Sequence, residues 1–211
     1  MLTIQRFTFN PFQENTYLVH DDRHALLIDP GCWNTAEEEE LAQYLTQHAL
    51  EPIHCINTHA HLDHIFGNSW AIDRFGIPLH LHPADLELLR AAPRMAEAYG
   101  LRMEPSPEPT DRLMDGGSLS IGPHKLKVIH APGHSPGHVV LYCPEQRFVI
   151  GGDVLFQGSI GRTDLPLGDH EELIRSIRER LLTLPDDVIV HCGHGPATTI
   201  GQERRSNPFL N

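Results

Sequence analysis

Thr58-His59-Ala60-His61-Leu62-Asp63-His64 places three imidazoles and a carboxylate within six residues, directly after the run Ile53 to Ile56. In an extended segment leaving a strand, His59, His61 and Asp63 alternate to one side, and a turn into a helix at Asp63-His64 swings His64 round to join them. One short loop then feeds two adjacent ions. Neutral imidazole and carboxylate are borderline-to-hard ligands suited to zinc, iron or manganese, and they outnumber the needs of a single tetrahedral ion, so the stretch predicts a binuclear site. The opposing reading, four such groups serving only packing, leaves their hydrogen-bonding needs unmet unless they share a partner.

Outward from this loop, composition points to one domain over residues 1–211. The chain is long enough, and with 40% hydrophobic residues apolar enough, to bury a full core. Its formal charge is -12, and no Lys/Arg-rich tract interrupts the acidic excess, which argues against nucleic acid as a partner. Met1 to Arg6 holds no basic segment leading into an apolar core, and no apolar run approaches bilayer length. The expectation is a cytoplasmic protein without a membrane association or an evident obligate protein partner. Cys32, Cys55, Cys143 and Cys192 are scattered without a C-x-x-C pair, so free structural thiols are expected.

In chain order, Leu2 to Phe9, Thr16 to His20 and His24 to Ile28 read as an antiparallel meander, ended by Asp29-Pro30-Gly31. Thr35 with Glu38 reads as a capping box before a helix with Leu41, Tyr44, Leu45 and Ala49 on its apolar face, and Glu37 to Glu40 as its solvated, dipole-favoured start. Ile53 to Asn57 is a buried strand, and Ile65 to Phe75 a helix stopped by Gly76. The ligands thus sit at a strand's C-terminal end, where open α/β sheets bind. Pro78 to His82 is a short strand on which His80 and His82 alternate, either as strand surface or as a second metal pair. Pro83 opens a helix, and Pro93 to Asp111, with Pro105, Pro107 and Pro109, is an irregular connector, a surface loop or a cover for the site. Strands at Ser118 to Ile121, Lys125 to His130, His138 to Tyr142 and Arg147 to Ile150 imply a second sheet.

Three later breaks carry further candidate ligands, each just past a strand: His134 in Pro132-Gly133-His134, Asp153 in Gly151-Gly152-Asp153, and His194 in Gly193-His194-Gly195. The glycines permit sharp turns and close approach of a ligand to the backbone. Singly each is weak; together with residues 59–64 they form a pattern.

The order H-x-H-x-D-H, then Pro-Gly-His, Gly-Gly-Asp and Gly-His-Gly resembles the metallo-β-lactamase superfamily over nearly the whole chain. The resemblance implies an α/β (α+β) fold, a four-layer αββα sandwich, with the metals at one edge between the sheets. Carried over, His59, His61 and His134 hold one metal, Asp63, His64 and His194 the other, and Asp153 bridges. Asp29 matches the family's early aspartate, which supports the metal loop and is not a ligand. Of the sixteen histidines this assignment uses five; among the rest, His138 is the first candidate for an outer-shell role.

With no cysteine ligand, the set looks like glyoxalase II, the short hydroxyacylglutathione hydrolase type. The resemblance implies hydrolysis of S-lactoylglutathione, a small anionic thioester, to lactate and glutathione by a hydroxide bridging two divalent ions, zinc first, iron or manganese as alternatives. Asp63 is then both ligand and catalytic residue. The two ions, less Asp63, Asp153 and the hydroxide, leave the site at about +1, attractive to an anion inside an acidic protein. A thiolate, with a pKa near about 8.5, departs without a protonating side chain. Only seventeen residues follow His194, so the C-terminal helical segment of longer glyoxalase II enzymes is not expected. Arg162, in Gly161-Arg162-Thr163-Asp164, and Arg204 and Arg205 remain as cationic substrate contacts or as exposed arginines in local salt bridges. Gly-Arg-Thr-Asp also occurs in persulfide dioxygenases, which use one iron held by the equivalents of His59, His134 and Asp153; that is the second enzyme class. A metal-binding scaffold without catalysis is the third reading, disfavoured by Asp63, which the fold alone does not require.

Overall fold

The meander forms as β1 (Thr3–Phe9), β2 (Glu14–His20) and β3 (His24–Ile28), antiparallel in sequence order. β2 begins two residues earlier than its apolar run indicates, because Phe9 pairs with Glu14 across a turn in which Asn10 and Gln13 take positive φ. Every residue of β2 is buried, the charged Glu14 included. The computed structural model describes residues 1–210, in two compact units.

The first unit spans Met1–Arg112 with Ile121–Pro123. After β3 come α1 (Thr35–Gln47), β4 (Glu51–Ile56), α2 (Leu62–Ile65), α3 (Asn68–Phe75), β5 (Leu79–Leu81), α4 (Leu86–Ala98) and β6 (Asp111–Arg112). The sheet runs β1-β2-β3-β4-β5-β6, and its last three pairings are parallel, as helical crossovers require. Phe7, Leu18, Leu27, Leu41, Leu45, Cys55 and Leu79 build one core cluster, and Leu62, Ile65, Leu81, Leu88, Leu89 and Ala92 a second.

Three expectations for this unit need correction. Asn34, not Thr35, caps α1: its side chain accepts from the amides of Ala36 and Glu37, while Glu37 accepts from those of Asn10 and Trp33, so the acidic run is not wholly solvated. The helix read over 65–75 is broken, because Gly67 donates its N–H to Pro30 O at 2.8 Å and a Cβ there would lie 2.3 Å from Cys32 Sγ. Helix α4 also runs through Pro93, its buried stripe Leu88, Leu89, Ala92 and Ala96 outweighing the lost hydrogen bond. The remaining connector is tied to helices of the same unit: Asn68 to Ser106, Ser69 to Pro105 O, and Arg90 to Glu108 through two bonds of 2.7 and 2.8 Å.

The second unit spans Leu113–Ser120 and the chain from His124 onward. It contains β7 (Ser118–Ile121) except its last residue, β8 (His124–His130), β9 (Val139–Cys143), β10 (Phe148–Gly152), a hairpin of β11 (Leu155–Phe156) and β12 (Ser159–Ile160), α5 (His170–Ser176) continued by a π turn, β13 (Ile189–Cys192), β14 (Thr198–Thr199) and α6 (Ile200–Ser206). Its six-stranded sheet runs β14-β13-β10-β9-β8-β7, with β10 and β13 parallel. Leu173, Ile177 and Leu181 pack with Val140, Val149, Val188 and Val190 in its core. Both units therefore follow one plan: a meander, a helical crossover, and a parallel strand laid beside the last strand of the meander. No helix among the described residues is long and apolar enough to cross a membrane.

Candidate metal centre

In the first unit, Ile28 pairs with Ile56 at the C-terminal ends of parallel β3 and β4, so Asp29 and Thr58 emerge side by side. Asp29, at φ 49°, accepts from Thr58 N at 2.7 Å through Oδ1 and from Thr58 Oγ1 at 2.6 Å through Oδ2. Its Oδ2 also accepts from His64 Nδ1 at 3.1 Å. Aspartate tolerates the left-handed backbone region, and the contacts hold it there. Further along, Asp85 Oδ2 accepts from Ala60 N at 3.0 Å, Asn10 Nδ2 donates to Asp63 O at 2.9 Å, and Asn57 Nδ2 donates to His64 O at 3.3 Å. Four side chains from separate segments thus fix the main chain of the loop, and α2 starts at Leu62, one residue before the expected turn.

These contacts also fix the tautomers. Thr58 Oγ1 gives its proton to Asp29, so at 3.0 Å it accepts from His59 Nδ1–H. His64 donates Nδ1–H to the Asp29 carboxylate. In both rings Nε2 carries the lone pair, the state in which imidazole binds a metal. His59 and His64 are fully buried, His61 nearly so, and Asp63 is partly exposed. Asp63 Oδ2 lies 3.8 Å from His64 Nε2. Asp29, His59 and His64 also place one donor atom each within 4.8 Å of one another, but the oxygens of Asp29 are engaged by Thr58 and His64, which makes it the support of the loop.

Behind His64 lies Glu14. Its Oε1 is 3.7 Å from His64 Nδ1 and has no hydrogen-bond partner, while Oε2 meets Thr16 Oγ1 at 2.9 Å. Burial holds this carboxyl well above the usual carboxylate range; His64 pulls it down by less, and Asp29 pushes it further up. Gly31 makes the room: a Cβ there would lie 2.1 Å from Glu14 Oε2 and 2.6 Å from Asp63 O.

The second unit repeats the device. Gly152 pairs with Cys192 at the ends of parallel β10 and β13, and Gly193 N donates to Gly152 O at 2.7 Å, which sets Asp153 beside His194. Asp153 Oδ2 stands 3.6 Å from His134 Nε2 and 3.5 Å from His194 Nε2. His134 donates Nδ1–H to Arg162 O at 2.7 Å, so its Nε2 is again the lone-pair nitrogen. Asp153 N donates to His138 Nε2 at 3.0 Å, which places His138 behind the aspartate. Gly161 lies over Asp153 and His134, where a Cβ would meet Asp153 O at 1.9 Å and His134 Nδ1 at 3.1 Å.

The donor set fits a divalent ion. The contacts at 3.5, 3.6 and 3.8 Å exceed hydrogen-bond length. Those at 3.5 and 3.6 Å, both made by Asp153, match the roughly 3.3–3.6 Å that separates two ligands each about 2.0–2.2 Å from one tetrahedral ion, and the Asp63–His64 contact is slightly longer.

Other candidates fall elsewhere. His80 Nε2 meets His54 Nδ1 at 2.9 Å, while His82 Nδ1 accepts from Ala84 N, so the two residues are not a metal pair. Arg162 holds Asp164 through bonds of 2.7 and 2.8 Å, which lowers that carboxyl to about 2. Arg204 is tied to the carbonyls of Leu182 and Leu184 and to Asp186. All four cysteines are free and buried, and burial, with Asp153 nearby, pushes Cys192 up to about 12. Sequence reasoning passed over Glu14, Asn10 and Asp85. The signal for Glu14 was available, a carboxylate at the head of an apolar strand; Asn10 and Asp85 act on main-chain atoms and leave no motif.

A family model described as the metallo-beta-lactamase superfamily matches residues 9–194. Hydroxyacylglutathione hydrolase GloC of Haemophilus influenzae is 41% identical over 214 residues, covering 100% of this chain and 99% of that protein. Among solved structures, BLEG-1 B3 metallo-beta-lactamase superposes with a TM-score of 0.91 at 39% identity, over 99% of this chain and 100% of that one. TTHA1623, solved in a di-iron-bound form, gives 0.89 at 43% identity, over 98% and 100%. The mixed α/β architecture is thus that of these proteins, and the chain carries His/Asp groups able to hold a divalent metal; it belongs to the metallo-beta-lactamase superfamily.

Proposed function

We propose that the chain is a binuclear metallohydrolase that cleaves a thioester, S-lactoylglutathione first, as glyoxalase II does. The observation that carries this reading is Asp153, one of whose oxygens stands at ligand spacing from two imidazoles. In this reading the aspartate serves two ions at once. His59, His61 and His134 hold the first ion in this reading and Asp63, His64 and His194 the second. When bound, the ions supply a nucleophile at neutral pH and polarise the thioester carbonyl. Asp63 acts as ligand and orients the nucleophile, and Asp29, Thr58 and Arg162 O keep the imidazoles in the required tautomer. The thiolate leaves without an acid, so the lack of a protonating side chain in the motif is no obstacle.

The name of the GloC relative, matched along 99% of its length, supports the substrate assignment. The donors accept zinc, iron or manganese, and the di-iron form of a 43% identical protein gives iron a place beside zinc. Arg162 is the proposed contact for a carboxylate of the thiol half; exposed and shared with Asp164, it contributes on the order of 1 kcal/mol or less. Arg162→Ala should therefore raise KM for the glutathione thioester by less than about tenfold and leave a simple thioester unaffected. Buried free thiols accord with a reducing, cytoplasmic setting. The deciding experiment is metal analysis of protein purified without added metal, with thiol release and oxygen uptake assayed in parallel. Two metals per chain with oxygen-independent thiol release is the expected result. One iron with oxygen consumption on a persulfide would replace the hydrolase by a dioxygenase.

A further inference from the structure

We infer that Glu14, which lies outside every motif of the proposed site, is a positioning residue for His64: its carboxyl, enclosed with Asp29 on the Nδ1 side of the ring, holds the imidazole in the orientation that points Nε2 toward Asp63. The inference rests on the reading of His64 as a ligand.

Three observations carry it. Glu14 is fully buried in a strand whose every residue is buried, and one oxygen lacks a hydrogen-bond partner. An isolated polar group in such a place costs stability, and an apolar side chain of equal size would not. Second, that oxygen faces His64 Nδ1 at 3.7 Å, alongside the 3.1 Å bond to Asp29 Oδ2. Third, the surroundings are built around the carboxyl. Gly31 leaves the volume that Oε2 fills, and Thr16 Oγ1 sits between Oε2 at 2.9 Å and Asp29 O at 2.8 Å while accepting from Gly31 N at 2.9 Å. Asp29 engages the Nδ1–H of the imidazole, and Glu14, approaching from β2, sets a second carboxyl against the same edge of the ring, which is the place of an outer-shell partner of a metal-bound histidine.

The test compares Glu14→Leu, Glu14→Gln and His64→Ala with the unaltered protein. Zinc affinity is read by competition with a chromophoric chelator, and the stability of the metal-free proteins by urea unfolding. Glutamine keeps the shape, and its amide can donate to Thr16 while its oxygen faces His64; leucine keeps the volume alone. The expected result is that Glu14→Leu weakens one of two zinc-binding steps by about 10- to 100-fold, with metal-free stability equal to or above that of the unaltered protein. Glu14→Gln should stay within about threefold. A structural role would reverse the pattern, lowering metal-free stability in proportion to any lost affinity, and would overturn the inference. Unchanged zinc binding in Glu14→Leu, or an equal loss in Glu14→Gln, would overturn it as well. His64→Ala separates the two levels: if it too binds two zinc ions as the unaltered protein does, the ligand reading has failed and the inference falls with it.

Discussion

At the residue scale the candidate site is a set of carboxylate oxygens and imidazole lone pairs turned toward one another without a proton between them. Asp153 Oδ2 meets two imidazole nitrogens, and Asp63 Oδ2 meets a third. Asp153→Ala removes the proposed bridge and should abolish both metal retention and turnover, by more than the roughly 100-fold that loss of an outer-shell group costs; full metal content in that variant contradicts a binuclear centre. Asp63→Ala discriminates the enzyme classes. A hydrolase loses nearly all thiol release with it, whereas a dioxygenase on one iron keeps appreciable oxygen uptake. The candidate ligands were legible in the sequence because four ligand-type side chains in six positions have few other physical uses. Those that hold the loop were not, since Asn10 and Asp85 reach main-chain atoms of residues 63 and 60 from distant segments. Asp29 was legible only through the family resemblance.

At the element scale the meander, the strand before the loop and the αL stop at Gly76, φ 64°, follow from pattern and turn chemistry alone. Boundaries failed where a tertiary contact outweighs a local preference. Gly67 gives its amide to Pro30 and splits a helix whose periodicity is continuous; Pro93 sits inside α4 because the stripe on either side is buried. The start of α1 permits a direct test. Asn34 accepts from two first-turn amides, whereas Thr35 is the first helical residue. Asn34→Ala should lower stability by about 1 kcal/mol and Thr35→Ala by at most a few tenths, read as shifts of the urea midpoint. Equal effects would mean that the Thr35 capping box competes with the observed cap.

At the scale of the whole molecule, each unit puts candidate ligands after the C-terminal ends of a parallel pair, β3 with β4 in one and β10 with β13 in the other, while His134 follows the antiparallel strand β8. That regularity was half visible in the sequence as four strand-end motifs; which strands lie parallel is a matter of long-range pairing that no local pattern states. The excess of histidine has a consequence for the entire fold beyond the metals. His80 is buried beside His54, and burial, with His54 adding to it, lowers its pKa from about 6.5 to about 4, while Asp111 opposes the shift. The folded protein therefore holds this ring neutral in a range where the unfolded chain protonates it. Between about pH 6.5 and pH 4 the unfolded state binds the additional proton, so stability rises with pH across that window and is lost as pH falls through it. With partial solvent screening the loss is on the order of 1 kcal/mol. Urea midpoints of the metal-free protein should accordingly drop between pH 7 and pH 5, and His80→Leu should flatten that drop; a slope unchanged by His80→Leu would assign the acid sensitivity to other histidines, His54 among them, instead.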